Sequence, residues 1–174
     1  MDTSGNVETD NLKRNLEIQL DRLVEQLEDL ESYKDDMEEE EYNETKKETK
    51  EQLQEFNESL EKLMKGNISL VSKLAAVRLT TQLAISNAFK TPEIIRMFAK
   101  QEPKLLREKL KQLEDDVQLN KILKENSERQ KAEILTALRH LGEQLSREDL
   151  QFLEKHNDIA NAFKNIQFIE VQED

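Results

Sequence analysis

Cysteine and tryptophan are absent from the 174 residues, and there are only three glycines and two prolines. Without cysteine the chain has neither a disulfide nor a thiolate metal site. So few glycines and prolines leave little room for the turns of a β-rich fold. The two histidines form no His-Glu-x-x-His pattern, and the scattered glycines cannot form a phosphate-binding loop. We therefore expect a protein that is not an enzyme and that has no cofactor or metal site.

A long hydrophobic run is missing as well. The most conspicuous stretch without a charge, Leu79 to Phe89, is far shorter than the ~20 apolar residues of a membrane-spanning helix. The first ten residues are polar and acidic, unlike a signal peptide. We expect no membrane partner and a cytoplasmic location, extending to the nucleus.

Charge is abundant and unevenly distributed. Charged residues make up 37% of the chain, and the mean hydropathy is -0.84, a composition typical of long helices. Of the 38 acidic residues 20 lie in residues 1–60, against 7 of the 26 basic ones. Such a segment repels nucleic acid. Residues 1–11 contain no Lys or Arg, although a basic-zipper protein carries its DNA-binding region in that place. We expect no nucleic-acid partner.

Large apolar residues recur every three or four positions in the front part of the chain. This is the a/d spacing of a coiled coil, and it predicts one helix over about residues 6–33 and a second from near Glu38. The acidic stretch 35–41 lacks the spacing, so we expect a turn or a frayed joint there. Two arrangements are open: a hairpin within one chain, or self-association with a second copy. The seam residues are Leu16, Leu20, Leu23, Leu27 and Leu30, then Leu53, Phe56, Leu60 and Leu63.

Helix-breaking residues divide the middle of the chain. Gly66-Asn67 favours a helix end over a continuous helix with a polar seam position. Residues 68–89 are apolar on more than one face, as in the buried helix of a bundle. Thr91-Pro92 predicts the start of a helix reaching Lys100, and Pro103 opens another. From Lys104 to Leu141 nothing forces a stop, which predicts one long helix, although Asn126-Ser127 allows a bend or a fresh cap within it.

The back part of the chain carries further helix signals. Gly142 is placed as a helix-terminating glycine, and His140 just before it suits the negative end of the helix dipole. Ser146 can cap a following helix. Asp158 can cap a last helix over residues 159–165. Residues 166–174 alternate apolar and acidic residues, which suits an extended tail lying on a partner.

These patterns predict an all-α protein with three segments. Residues 1–66 form an elongated acidic helical hairpin or coiled coil, and residues 67–125 a helical bundle with a long connecting helix. Residues 126–174 form a three-helix module with a short tail.

Residues 130–153 combine regular apolar spacing, a helix-ending glycine and a capping serine. This segment resembles the helical module of the ICAT family, inhibitors of β-catenin and Tcf. With the leucine seam and the stretches 42–57 and 87–103, roughly residues 10–165 resemble the members that carry a leucine zipper ahead of the ICAT homology. The matching positions are Gln130, Lys131, Ile134, Leu135, Leu138, Arg139, Leu141, Gly142, Leu145, Ser146, Phe152 and Leu153.

The resemblance implies a protein partner, β-catenin or another armadillo-repeat protein, and a role in Wnt/Tcf signalling. In the family, a three-helix module sits on the last armadillo repeats, and a long acidic–apolar tail displaces Tcf. Here the tail is shorter, and Ser127-Glu128-Arg129 stands where the family has an aromatic residue. We therefore expect armadillo binding rather than competition with Tcf. The implied partner-binding residues are Gln130, Lys131, Ile134 and Leu138 in the module, and Phe168, Glu170 and Glu173 in the tail.

The alternative is a coiled-coil adaptor or scaffold that does not bind β-catenin. The exposure of Phe163 and Phe168 discriminates between the two functions, because burial of both rings within the module would argue against docking through them.

Overall fold

The computed structural model describes the backbone of residues 3–86 and 88–172 and the side chains of residues 7–86 and 88–166. The described part of the chain is all-α, as the sequence predicts, and it separates into two compact units, unit 1 (Met1–Ser86) and unit 2 (Asn87–Asp174). None of its helices is long and apolar enough to cross a membrane. The helices are α1 Thr3–Ser32, α2 Glu39–Gly66, α3 Leu70–Ile85, α4 Pro92–Ala99, α5 Pro103–Gln118, α6 Lys124–His140, α7 Arg147–Lys155 and α8 Asn157–Gln172.

Unit 1 is an up-down-up bundle in which α1, α2 and α3 each pack against the other two. A short 3-10 turn, Lys34–Asp36, reverses the chain between α1 and α2 where the acidic stretch predicts a turn. Lys73 on α3 pairs with Asp10 near the start of α1 at 3.1 Å, so these two helices run in the same direction. Tyr42 near the start of α2 donates a hydrogen bond to Glu31 at the end of α1, so α1 and α2 form a hairpin within one chain.

The leucine seam lies inside this bundle. Leu16, Leu20, Leu27 and Leu30 of α1 are buried, as are Leu53, Phe56 and Leu60 of α2. Leu23 and Leu63 are only half-buried, and their neighbours Val24 and Met64 take the buried positions. Each helix contacts two others and therefore needs an apolar stripe broader than the two-position seam of a coiled coil. In this structure the seam forms the core of a single chain.

The break between α2 and α3 lies at Gly66-Asn67, as the glycine predicts. Asn67 has an extended backbone, and its side-chain oxygen accepts hydrogen bonds from the backbone N–H and the hydroxyl of Ser69, at 3.1 and 2.6 Å. This local turn ends one helix and starts the next. Helix α3 is then buried over most of its surface, which agrees with its apolar residues on all sides.

Unit 2 contains α4 to α8, and phenylalanine rings meet within its mostly aliphatic core. Phe98 of α4 is fully buried, and its ring meets that of Phe163 of α8 edge to face, with centroids 6.1 Å apart. Phe89, which precedes α4, packs against Phe163 at 5.6 Å. Pro92 is in the first turn of α4 and Pro103 in that of α5, as the two prolines predict. The ICAT-like three-helix module is the portion made by α6, α7 and α8.

The long helix predicted from Lys104 to Leu141 is wrong, because α5 ends at Gln118 and α6 begins at Lys124. Asn120 adopts a left-handed backbone with φ of 56°. The N–H of Lys121 donates to the carbonyl of Asp116 at 2.8 Å, and that of Asn120 to Val117 at 3.1 Å. These two bonds form a Schellman motif, which asparagine can adopt in place of glycine. Gly142 (φ 85°) terminates α6 with the same pair of bonds, confirming its predicted role.

The end of the chain also differs from the expectation. Helix α8 starts at Asn157 and continues to Gln172. The sequence predicts instead a helix over residues 159–165 and an extended tail over residues 166–174. No glycine or proline follows Asn165, so nothing in the sequence stops the helix. Ser146 caps α7 as predicted, since its hydroxyl accepts the N–H of Asp149 at 3.1 Å. The division into segments 1–66, 67–125 and 126–174 stays a prediction.

Candidate partner-binding site

A groove of about 400 Å³ opens on unit 2 where α5, α6 and α7 meet. Its lining is mainly apolar on the α5 side and charged on the α6 side. An open apolar groove with a few charged groups is a common form of binding site for a protein or peptide. The lining residues are Leu110, Leu113, Glu114, Val117, Gln118, Lys124, Ser127, Glu128, Lys131 and Phe152.

Phe152 of α7 is held in the groove from two sides. The Nζ of Lys131 lies 4.5 Å from the centre of its ring, a cation–π contact, and the imidazole of His156 stacks on it at 4.2 Å. His156 is itself anchored, with Nδ1 3.1 Å from the carbonyl oxygen of Phe152 and Nε2 3.7 Å from Glu128. A half-buried aromatic ring with fixed neighbours loses little freedom on binding, which is typical of an interface anchor.

Exposed apolar side chains occur on the same part of unit 2. Val117, which lines the groove, is 38% exposed, and Leu119 and Leu123 in the α5–α6 connection are 63% and 73% exposed. A cluster of exposed apolar residues on a soluble domain often marks an interaction site.

The residues that the sequence singled out for binding fall into three groups. Gln130 and Lys131 are half-buried on α6, and Lys131 lines the groove. Ile134 and Leu138 are fully buried in the core of unit 2, so a partner can reach only their neighbours. The side chains of Phe168 and Glu170 lie outside the described residues, as does all of Glu173. That these residues bind a partner stays a prediction.

Phe163 is buried against Phe89 and Phe98, so its ring is unavailable for docking. The Phe168 ring lies outside the described residues. Burial of Phe163 therefore meets only one of the two conditions that argue against docking through these rings. The groove presents Phe152 instead. This residue is one of the positions that match the ICAT family, but it is not among the predicted partner-binding residues.

Glu133 on α6 was not found from the sequence. Its side chain is fully buried, and its carboxylate accepts hydrogen bonds from the backbone N–H groups of Lys90 and Thr91, at 3.2 and 3.3 Å. Burial raises the pKa of Glu133, while these hydrogen bonds and the nearby Arg129 oppose the rise. The sequence does show an acidic residue within the apolar run 132–138. Such a residue indicates a buried carboxylate with a polar partner, but the sequence does not identify that partner.

His140 has an environment that the dipole interpretation did not anticipate. Its ring lies 5.6 Å from that of Phe98 and 5.3 Å from that of Phe163. The His140 side chain is partly exposed, and the desolvation of its partly buried ring beside these phenylalanines lowers its pKa. His140 lies in the last turn of α6, where the sequence places it, and its contact with the two rings is a further feature that the sequence did not predict.

Residues 113–174 match the model of a family described as beta-catenin-interacting protein ICAT. The match begins inside α5 and covers α6, α7 and α8, so it contains every residue lining the groove except Leu110. Residues 1–112 lie outside the ICAT match. No solved structure matches the chain. Within the described residues, no group of three or more His, Asp or Glu side chains is placed to hold a metal ion.

Proposed function

We propose that this chain is a non-enzymatic interaction protein that binds the armadillo repeats of β-catenin through the groove of unit 2. The observation that carries the proposal is the ICAT match over residues 113–174, since it covers nearly the whole lining of that groove. The groove adds the chemistry, because it combines exposed apolar surface with an ordered aromatic ring and charges at its rim.

Phe152 and Lys131 supply the specific contacts in this proposal. A fixed aromatic side chain with a neighbouring cation is the kind of residue pair that dominates interface energies. Val117 adds apolar surface on the opposite side of the groove. Ile134 and Leu138 act indirectly by holding α6 in the core.

The finer features of the proposal follow from the resemblance of the chain to leucine-zipper members of the ICAT family. We infer a cytoplasmic and nuclear protein that modulates Wnt/Tcf signalling. Since residues 157–172 are helical, contact with the partner through this region would use a helix surface. Unit 1 buries its leucine seam, so self-association through the seam would require the bundle to open.

Binding is tested by calorimetry between the full chain and purified β-catenin armadillo repeats. Val117→Asp and Lys131→Glu each change one exposed or half-exposed groove residue, and we expect each to weaken binding at least about tenfold, or about 1.4 kcal/mol. Val71→Asp is the matched control, because Val71 is 43% exposed on unit 1. A Tcf peptide added to the complex then tests competition.

Two results would count against the proposal. Absence of binding at tens of micromolar, weaker than roughly -6 to -7 kcal/mol, would leave the adaptor function of the helical front part as the better explanation. Equal affinity for the Val117→Asp, Lys131→Glu and Val71→Asp proteins would show that β-catenin binds elsewhere on the chain.

A further inference from the structure

A second, smaller pocket of about 130 Å³ lies on unit 2, where the end of α6 meets α7 and α8. It shares no lining residue with the groove. Three of its seven lining residues are basic and none is acidic, although the chain as a whole has a net charge of -12. The lining residues are Thr136, Arg139, His140, Leu153, Ala160, Phe163 and Lys164.

The walls of this pocket are apolar and the basic groups are exposed. Leu153 and Phe163 line the pocket, but only 3% of each side chain is exposed. Arg139 and Lys164 are exposed, and within the described part of the chain neither forms an ion pair. Two cations that line one pocket both attract an anion placed in it. This arrangement favours binding of an anion.

We propose that this pocket binds a phosphate monoester group carried by a partner molecule. A phosphate monoester carries a charge of about -1.5 to -2 at neutral pH, which matches the two permanent charges of Arg139 and Lys164. The guanidinium of Arg139 offers a planar pair of donors suited to two phosphate oxygens, and the ammonium of Lys164 provides a compact charge.

The apolar wall gives the pocket a second recognition element. The methyl group of Ala160, which is half-buried, can contact the carbon atoms that join a phosphate to its carrier, and inorganic phosphate lacks these atoms. We therefore expect a phosphorylated side chain of a protein to bind more tightly than free phosphate. This inference does not depend on the proposed binding of β-catenin, because the groove and this pocket use different residues.

The test is an amide chemical-shift titration of the full-length protein at constant ionic strength. The probes are inorganic phosphate, a short peptide containing phosphoserine, the same peptide with serine, and the same peptide with glutamate. We expect saturable shifts at Arg139, His140 and Lys164 with the phosphopeptide. We also expect at least tenfold weaker binding of inorganic phosphate and of the serine peptide.

Paired charge variants separate this pocket from general attraction between charges. Arg139→Gln with Lys164→Gln removes both pocket cations and should weaken phosphopeptide binding at least tenfold. Arg147→Gln with Lys155→Gln removes two exposed cations of α7 outside the pocket lining and should leave binding unchanged. The proposal is overturned if no probe gives saturable shifts, if both double variants bind alike, or if the glutamate peptide binds as well as the phosphopeptide.

Discussion

The carboxylate of Glu133 on α6 accepts a hydrogen bond from the backbone N–H of Thr91, the residue that precedes α4, at 3.3 Å. Lys90 donates to the same carboxylate. Glu133 lies within the ICAT match, which starts at residue 113, whereas Lys90 and Thr91 precede it. The buried carboxylate therefore bonds to a segment outside the family match. The ICAT-like module is structurally joined to α4, so the compact unit is longer than the family match.

Glu133→Ala should destabilise the protein by at least about 2 kcal/mol, because it leaves two backbone N–H groups without their acceptor and each costs about 1–3 kcal/mol. Glu133→Gln should cost less, since one acceptor oxygen remains and a buried charge is removed. Urea unfolding measures both changes. Glu125→Ala, at an exposed position on the same helix, is the control and should lie within about 0.5 kcal/mol of the parent. Equal effects at positions 125 and 133 would contradict the role of Glu133.

A fragment of residues 87–174 should fold, whereas a fragment of residues 113–174 should not. The shorter fragment lacks Ile94, Ile95, Phe98 and Leu106, which are all buried in unit 2. Burial of each such side chain contributes about 1.5–3 kcal/mol, so their summed loss approaches the whole stability of a small domain, about 5–15 kcal/mol. Cooperative thermal unfolding followed by circular dichroism distinguishes the two fragments. A cooperative transition in the shorter one would show that the family match is a self-sufficient fold.

Substitution by alanine should have opposite effects at two of the glycines. Gly142→Ala should destabilise unit 2 by about 1–2 kcal/mol, because φ there is 85° although the site has space for a methyl group. Gly66→Ala should be neutral or stabilise unit 1 by up to about 1 kcal/mol, since Gly66 lies in the last turn of α2 with open space around it. Thermal denaturation of the two variants checks the signs. Equal changes in stability at the two positions would mean that the backbone conformation of the glycine does not determine the effect of the substitution.

Lys50→Met should destabilise unit 1 by about 1.5–3 kcal/mol, the range for a hydrogen bond from a charged group. The Nζ of Lys50 donates to the carbonyl oxygens of Ala84 and Ile85 at the end of α3, and burial lowers the pKa of this lysine. Methionine keeps the apolar stem and removes the donor. Lys47→Met, at an exposed position of the same helix, is the matched control. Amide hydrogen exchange in the last turn of α3 should quicken only in the Lys50 variant.

The stability of unit 2 should depend on pH through His140. The folded-state pKa is lowered from 6.5 by burial, so the unfolded chain binds this proton more readily than the folded one. The stabilising contribution is therefore complete above pH 6.5 and is lost as the pH falls through the lower folded-state pKa. Phe98 and Phe163 contact the ring, and Arg139 and Lys164 line the same pocket.

His140→Gln should reduce this part of the pH dependence, as measured by urea unfolding across the acid range. A proton-resonance titration of the imidazole should give a midpoint below 6.5, with the His156→Gln variant used to assign the signal. A midpoint at or above 6.5 would contradict the effect of burial.

The sequence alone determined the helical class, because heptad-like spacing and the scarcity of glycine and proline act locally on the backbone. It also placed the starts of α4 and α5 at prolines and the ends of α2 and α6 at glycines, since these residues impose their preferences whatever surrounds them. Ser146 belongs to the same group, because its cap involves a bond three residues away. The resemblance to the ICAT family rested on short-range patterns of this kind as well.

Tertiary structure decided those features that depend on contacts between distant residues, or on residues whose local preference is weak. The bundle buried Val24 and Met64 fully and left Leu23 and Leu63 half-buried, because a helix with two neighbours needs a broader apolar stripe. Asn120 ended α5 although asparagine is only occasionally left-handed, and packing of α5 against α6 favours the turn. Glu133 found its donors 42 and 43 residues away, and no spacing along the chain encodes such a contact. The two pockets of unit 2 arise in the same way, from side chains that only the packing of several helices brings together.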